Sequence, residues 1–153
     1  MIIQLAEVFD LEEILKLQFQ AYQSEAILNN NFSIPPLLQT IEDLKKEFQN
    51  GTFLKATNDD NRIIGSVRGH IKGGTLMIGK LIVAPSQQGK GYGKMLLHTI
   101  EKYFPYHRYE LFTSNRSTKN LSFYEEQGYI KYNEVKVSPD LTMIYLEKIN
   151  KMK

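Results

Sequence analysis

A glycine-rich hexapeptide, Gln88-Gly89-Lys90-Gly91-Tyr92-Gly93, stands between an apolar β-like run, Leu81-Ile82-Val83-Ala84-Pro85, and a helix-like run, Met95-Leu96-Leu97-His98-Thr99-Ile100. Strand, glycine turn and helix start together make an anion cradle. The first N–H groups of a helix have no partner inside it, and the helix dipole adds positive potential there. Gly91 and Gly93 carry no Cβ to hold a phosphate away from the main chain. The turn therefore points to a phosphorylated small molecule. Two nucleotide fingerprints fail on it. The dinucleotide pattern G-x-G-x-x-G lacks its third glycine here. The P-loop spacing is wrong, and Lys94 is followed by Met95 rather than by a Ser or Thr that could hold magnesium. What remains is Q-x-x-G-x-G: Gln88, Gly91 and Gly93.

Other chemistries are narrowed by composition. The chain has no cysteine, which excludes disulfides, thiolate metal sites and a sulfur nucleophile. His70, His98 and His107 share no close spacing, so no metal site is expected and each reads as a surface or packing residue. Nineteen basic residues against 17 acidic ones give a net charge of +2, too balanced for nucleic acid as a partner. No apolar stretch approaches the roughly 20 residues that a membrane span needs. The first residues, Met1-Ile2-Ile3-Gln4, lack the basic n-region of a signal peptide. A cytoplasmic protein is expected. Its 153 residues, 42% hydrophobic and 24% charged, suit one domain spanning residues 1–153 with a substantial core.

The elements that must position the turn follow from periodicity and punctuation. Residues 1–6 read as a first strand. Asp10-Leu11-Glu12-Glu13 has the form of a capping box, Asp10 at the N-cap and Glu13 at N3, opening a helix with Leu11, Ile14, Leu15, Leu17, Ala21 and Tyr22 at near-helical spacing. Residues 24–36, with three asparagines and Pro35-Pro36, read as a loop containing a short helical piece at 25–28. Thr40 is a candidate N-cap for a second helix ended by Asn50-Gly51. Three strands follow, at 52–57, 62–71 and 75–83, as an antiparallel meander. The helix after the glycine turn is expected to bury Tyr92, Met95, Leu96, Ile100, Tyr103 and Phe104, and to stop before Pro105. Residues 109–113 make a strand, Ser117 caps a short helix running to Gly128, and residues 129–137 and 141–146 make a last hairpin. The tail at 148–153 reads as a solvated end. The unit from 75 to 113 should be a right-handed crossover between parallel strands. The fold class is α/β, a mixed, mostly antiparallel sheet with a central parallel βαβ unit and helices on both faces.

The residues from Leu81 through Gln88, Gly91 and Gly93 to Leu97 resemble the acyl-CoA-binding motif of GCN5-related N-acetyltransferases. A second stretch, Ser117-Thr118-Lys119-Asn120-Leu121-Ser122-Phe123-Tyr124-Glu125-Glu126-Gln127-Gly128-Tyr129, resembles that family's later motif. Two motifs in the right order, one strand apart, are far more specific than either alone. The resemblance implies acetyl-CoA as co-substrate. Gln88, Gly89, Lys90, Gly91, Tyr92, Gly93 and Lys94 would form the pyrophosphate turn. Leu81, Ile82 and Val83 would lie along the pantetheine arm where neighbouring strands splay. Asn120 would hydrogen-bond the cofactor, and Tyr124 would protonate the departing thiolate.

Without a cysteine, direct attack of a bound primary amine on the thioester is the expected route, with no covalent enzyme intermediate. An alkyl amine, with a pKa of about 10, must shed a proton first. Main-chain N–H groups near Val83 could stabilise the oxyanion. Many family members carry a glutamate on the fourth strand as base, but this strand reads Thr75-Leu76-Met77-Ile78-Gly79-Lys80-Leu81 and has no carboxylate. Glu25, Glu110 and His70 are the alternatives, with a water relay; Glu110, if buried, is expected to pair with Arg68. Lys80 could meet a carboxylate on the acceptor. The acceptor is expected against residues 24–36, with Tyr22, Phe32 and Ile34 as an apolar wall and Asn29, Asn30 and Asn31 as polar groups. It could be a small molecule or a peptide, and the protein a monomer or homodimer. Two other readings stay open, a CoA-binding sensor without catalysis and a nucleotide-phosphate binder.

Overall fold

Residues 1–105 and 107–150 are described by a computed structural model. Seven strands form one sheet: β1 (Ile2–Leu5), β2 (Thr52–Thr57), β3 (Ile63–Lys72), β4 (Thr75–Val83), β5 (Arg108–Ser114), β6 (Ile130–Ser138) and β7 (Leu141–Ile149), in the spatial order β1-β2-β3-β4-β5-β7-β6. All neighbours pair antiparallel except β4 and β5, which are parallel. The mixed sheet with one central parallel pair is the one expected. The helices are α1 (Leu11–Ala21), α2 (Gln23–Leu28), α3 (Pro35–Leu38), α4 (Ile41–Gln49), α5 (Tyr92–Tyr103) and α6 (Thr118–Glu126). Among the described residues no helix is long and apolar enough to cross a membrane.

Side chains alternate across a strand, and β2 sorts them between two cores. Phe53 joins Leu11, Ile14, Leu17 and Leu44 under α1 and α4. Leu54 and Ala56 join Leu96, Leu97 and Ile100 under α5. Helices therefore cover both faces. Each fully buried leucine or isoleucine here contributes about 1.5–3 kcal/mol. On β3, a Cβ at Gly65 would come within 2.8 Å of Leu96 Cδ1, so glycine lets α5 settle closely on the sheet.

Thr40 caps α4 as expected. Its side chain accepts from the Asp43 N–H, and Asp43 returns the bond to the Thr40 N–H. The capping box at Asp10 does not form. Asp10 instead accepts from Lys55 Nζ at 2.8 Å and from the Glu7 N–H at 2.7 Å, while Glu13 accepts from the Ile63 N–H on β3. A buried lysine on β2 outcompetes the helix end for that carboxylate. Pro35-Pro36, read as loop, opens the short helix α3 with proline at its first positions, where a missing N–H costs nothing. On α5 the buried residues are Leu96, Leu97, Ile100 and Glu101, whereas Met95 and Tyr103 are exposed. Lys148 is no solvated tail residue. It lies in β7 and pairs with the buried Glu101 at 3.1 Å; residues 151–153 lie outside the described residues.

Candidate active site

The parallel ladder between β4 and β5 is short. It pairs Thr75 with Arg108, Leu76 with Tyr109 and Met77 with Glu110, and then ends. Beyond Met77 the two strands run on without pairing, which opens a gap in the middle of the sheet. Opposite this gap β4 carries a bulge. Ser66 faces Ile82 but Arg68 faces Gly79, so β4 has one residue more than β3 over this stretch. Lys80, with φ at 45°, takes the left-handed conformation that absorbs it. The extra residue inverts the alternation: Leu76 and Ile78 before the bulge, and Leu81 and Val83 after it, all pack toward α5. Ile82 is buried on the opposite face. Ala84 donates its N–H to Ile64 O on β3. By the two-residue period of a strand, the main-chain groups of Leu81 and Val83 then point the other way, into the gap. Those of Ile82 belong to β3, so of the three residues expected along the cofactor arm only Leu81 and Val83 offer main-chain groups to it.

The glycine turn lies at the end of this strand. Gly89 and Gly91 have φ of 78° and 84°, and Gly91 is the N-cap of the twelve-residue helix α5. A Cβ on either would meet nothing within 4 Å, so what requires glycine at these positions is backbone conformation, not internal crowding. No side chain caps α5, and its first turn holds Tyr92, Gly93 and Lys94 but no acid. Its first N–H groups are thus free of side-chain caps. Gln88 folds back to donate to Val83 O at 3.2 Å, joining the turn to the strand, and Lys90 reaches Gln87 at 3.1 Å in the open.

Across the gap stands α6. Tyr124 is 9% exposed, and its phenol is held well above the ordinary tyrosine range, first by burial and then by Tyr22 and Glu25. Glu25, from α2, accepts the Ser117 hydroxyl at 2.7 Å and the Asn120 amide at 3.3 Å. Asn120 also reaches Thr113 Oγ1 at 3.5 Å, and Ser114 donates to Asn29 Oδ1 at 3.2 Å. Ser117 therefore spends its hydroxyl on a carboxylate 92 residues away rather than on capping its own helix. Glu25, Asn120 and Tyr124 are brought together; Tyr22 joins them, its phenol pushed up to about 12 by burial, against the pull of Arg68 and with the help of Glu25 and Glu47. Glu110 is not among them. It pairs with Arg108 at 2.8 Å, not with Arg68. It lies four residues before Ser114, about 13 Å at a strand's rise. His70 is exposed on β3, opposite Met77.

A second polar group lies beneath α1 and α4, and no spacing along the chain joins its members. Arg68, 3% exposed, donates to Gln18 Oε1 at 3.0 Å and Gln39 Oε1 at 2.9 Å. Its Nε lies 2.8 Å from Glu47 Oε2, an ion pair rather than an aligned hydrogen bond. Gln18 in turn donates to Pro36 O, which ties α3 to α1. Lys80 Nζ reaches Glu47 Oε1 at 3.7 Å from the bulge. Burial raises the Glu47 carboxyl, but Arg68, Lys80 and the Gln39 amide together hold it below its ordinary value. Burial and the Arg68 charge lower Lys80. Glu47 thus brings a carboxylate beside the bulge. An acid at the end of an amphipathic helix reads as solvated surface, and only the tertiary fold shows otherwise.

An interrupted parallel pair, a bulged fourth strand and a glycine turn at a helix start are features of an acyltransferase. The family model for the acetyltransferase (GNAT) domain matches residues 19–149, and the chain belongs to that family. No curated protein matches it in sequence. Among solved structures it is similar to a PaiA N-acetyltransferase from Thermoplasma acidophilum, crystallised with coenzyme A, at 19% identity and TM-score 0.80, covering 97% of this chain and 99% of that one. A ribosomal-protein-alanine N-acetyltransferase from Brucella melitensis matches at 17% identity and TM-score 0.76, over 97% and 99% of the two chains. A spermidine N-acetyltransferase from Vibrio cholerae matches at 18% identity and TM-score 0.73, over 98% and 95%.

Proposed function

We propose that the protein is a single-domain cytoplasmic enzyme that transfers the acetyl group of acetyl-CoA to a primary amine by direct attack. One observation carries this reading: the β4–β5 gap, with a glycine turn at one end and the Tyr124 phenol across from it. The turn at Gly89 to Gly93 would take the pyrophosphate on the uncapped N–H groups of α5, beside Lys90 and Lys94. The pantetheine arm would pair with Leu81 and Val83. That interaction resembles strand addition, since the arm supplies amides where β5 is absent. Asn120 would turn its amide from Glu25 toward the cofactor.

The acceptor amine would then attack the thioester carbonyl carbon. A C–N bond forms, the C–S bond breaks, and Tyr124 gives its proton to the departing thiolate. Burial of the phenol keeps that proton in place at neutral pH. Glu25 is the carboxylate best placed to receive the amine's proton, since Glu110 is committed to Arg108 and Glu47 to Arg68. The test is release of CoA thiol from acetyl-CoA in the presence of amines. Amine-dependent thiol release is expected. Saturable CoA binding without release by any amine would replace the enzyme with a sensor, and indifference to CoA would remove both.

A further inference from the structure

The sheet face over β5, β7 and β6 is open. On that side α1 packs on β3 and β4, and α4 packs on α1. What the open face presents is aromatic. Phe112 stacks against Tyr145 with ring centroids 5.3 Å apart, and Tyr145 meets Tyr132 at 6.4 Å. Phe112 is 53% exposed and Tyr132 42%. The row starts on the part of β5 that has parted from β4, two residues before Ser114, whose hydroxyl holds Asn29 of the acceptor-side segment. Its Phe112 end is therefore the one nearest the candidate site, and Tyr132 lies at the other end, beside Arg108.

Glu25 apart, the carboxylates of this face are paired with cations, while Arg116 reaches main-chain carbonyls, those of Asp140 and Leu28. Arg108 neutralises both Glu110 and Glu147, at 2.8 and 2.7 Å, and lies over the Tyr132 ring at 4.8 Å. Arg68 and Lys80 neutralise Glu47. Glu25 differs. Among the described residues its partners are the neutral Ser117 and Asn120. One carboxylate without a cationic partner, beside a row of half-exposed rings, matches one ammonium on an apolar body. A polyamine or aminoglycoside carries several ammonium groups and would find one counter-charge for all of them. Exposed rings gain most by burying an apolar or aromatic surface.

We infer that the acceptor is a monocationic amine with an aromatic or aliphatic body, which lies on Phe112 at the near end of the ring row and presents its ammonium to Glu25. This rests on the acetyltransferase reading for the site's position, yet the two can fail separately. The experiment titrates 2-phenylethylamine, ethylamine and spermidine into the CoA-loaded protein and follows ligand signals by saturation-transfer NMR, with thiol release from acetyl-CoA measured in parallel. Phenylethylamine is expected to bind at least tenfold more tightly than either competitor. The exposed substitution Phe112→Ala should weaken it about tenfold while leaving CoA affinity unchanged. Spermidine binding as tightly as phenylethylamine, or no response to Phe112→Ala, would overturn the inference. Absence of thiol release with amine binding intact would strike the transferase reading and leave standing the amine site at Phe112 and Glu25.

Discussion

Two polar clusters flank the β4 bulge, and they are built on opposite principles. Around Arg68, a full charge is sunk beneath two helices and nearly every donor has an acceptor: Gln18, Gln39 and both oxygens of Glu47. Around Tyr124, the carboxylate of Glu25 meets neutral donors among the described residues, and burial is what chiefly holds the phenol proton in place. Tyr22 stands between them and feels charges from both. A closed network fixes geometry, because any buried group left without its partner costs free energy. An open one keeps groups free to exchange partners and protons. The first reads as scaffold for the bulge and the second as chemistry, although both are assembled from side chains of the same kinds.

Substitutions at three positions can break or sharpen that contrast. Arg68→Met should cost the most stability, about 1–3 kcal/mol, because it leaves the buried Gln18 Oε1 without a donor and takes from half-exposed Glu47 its nearest cation. Denaturant melts would show it, and a loss under 1 kcal/mol would mean the network is not closed. The pH dependence should follow. Glu47 is held below its ordinary value when folded. Its contribution is therefore complete above the unfolded value of about 4.3 and fades as pH falls toward the folded one. The variant should lose this acid sensitivity.

Tyr124→Phe should do the reverse, changing rate and not stability. A general acid contributes about 10²–10⁴-fold, so kcat should fall at least a hundredfold while the melting temperature and CoA affinity hold. Because the phenol is raised, wild-type kcat should show no loss up to pH about 10, the ordinary tyrosine value; a falling limb below it would take the acid role from Tyr124. Smallest is Gly91→Ala. The left-handed conformation at Gly91 costs a residue with a Cβ about 1–2 kcal/mol. CoA binding should weaken modestly in that variant and vanish in Gly91→Glu. Wild-type affinity in Gly91→Glu would remove the phosphate cradle.

How much of this was legible depended on the reach of each interaction. The glycine turn could be read because φ is a local property, and Thr40 with Asp43 because a capping box spans four residues. Asp10 satisfied the same local rule and failed, since Lys55 on β2 holds its carboxylate. Pro35-Pro36 signalled a break and also a helix start, and only Gln18 reaching Pro36 O shows which applies. Of the candidate site, Asn120, Tyr124 and Glu25 could be named from residue type and motif. That Glu25 would meet Ser117 across 92 residues could not. Nor could the bulge at Lys80, whose left-handed φ a lysine does not announce. The absent carboxylate on β4 was visible in the sequence; the arrival of Glu47 from α4 beside Lys80 was not.

The central claim is that the β4–β5 gap receives the cofactor arm, and amide hydrogen exchange with and without CoA addresses it most directly. CoA should slow exchange at Leu81 and Val83 and across Gly89 to Gly93, while the β3 amides beside Arg68 keep their rates. CoA that binds without protecting Leu81 and Val83, or protects them no more than β3, would contradict the account.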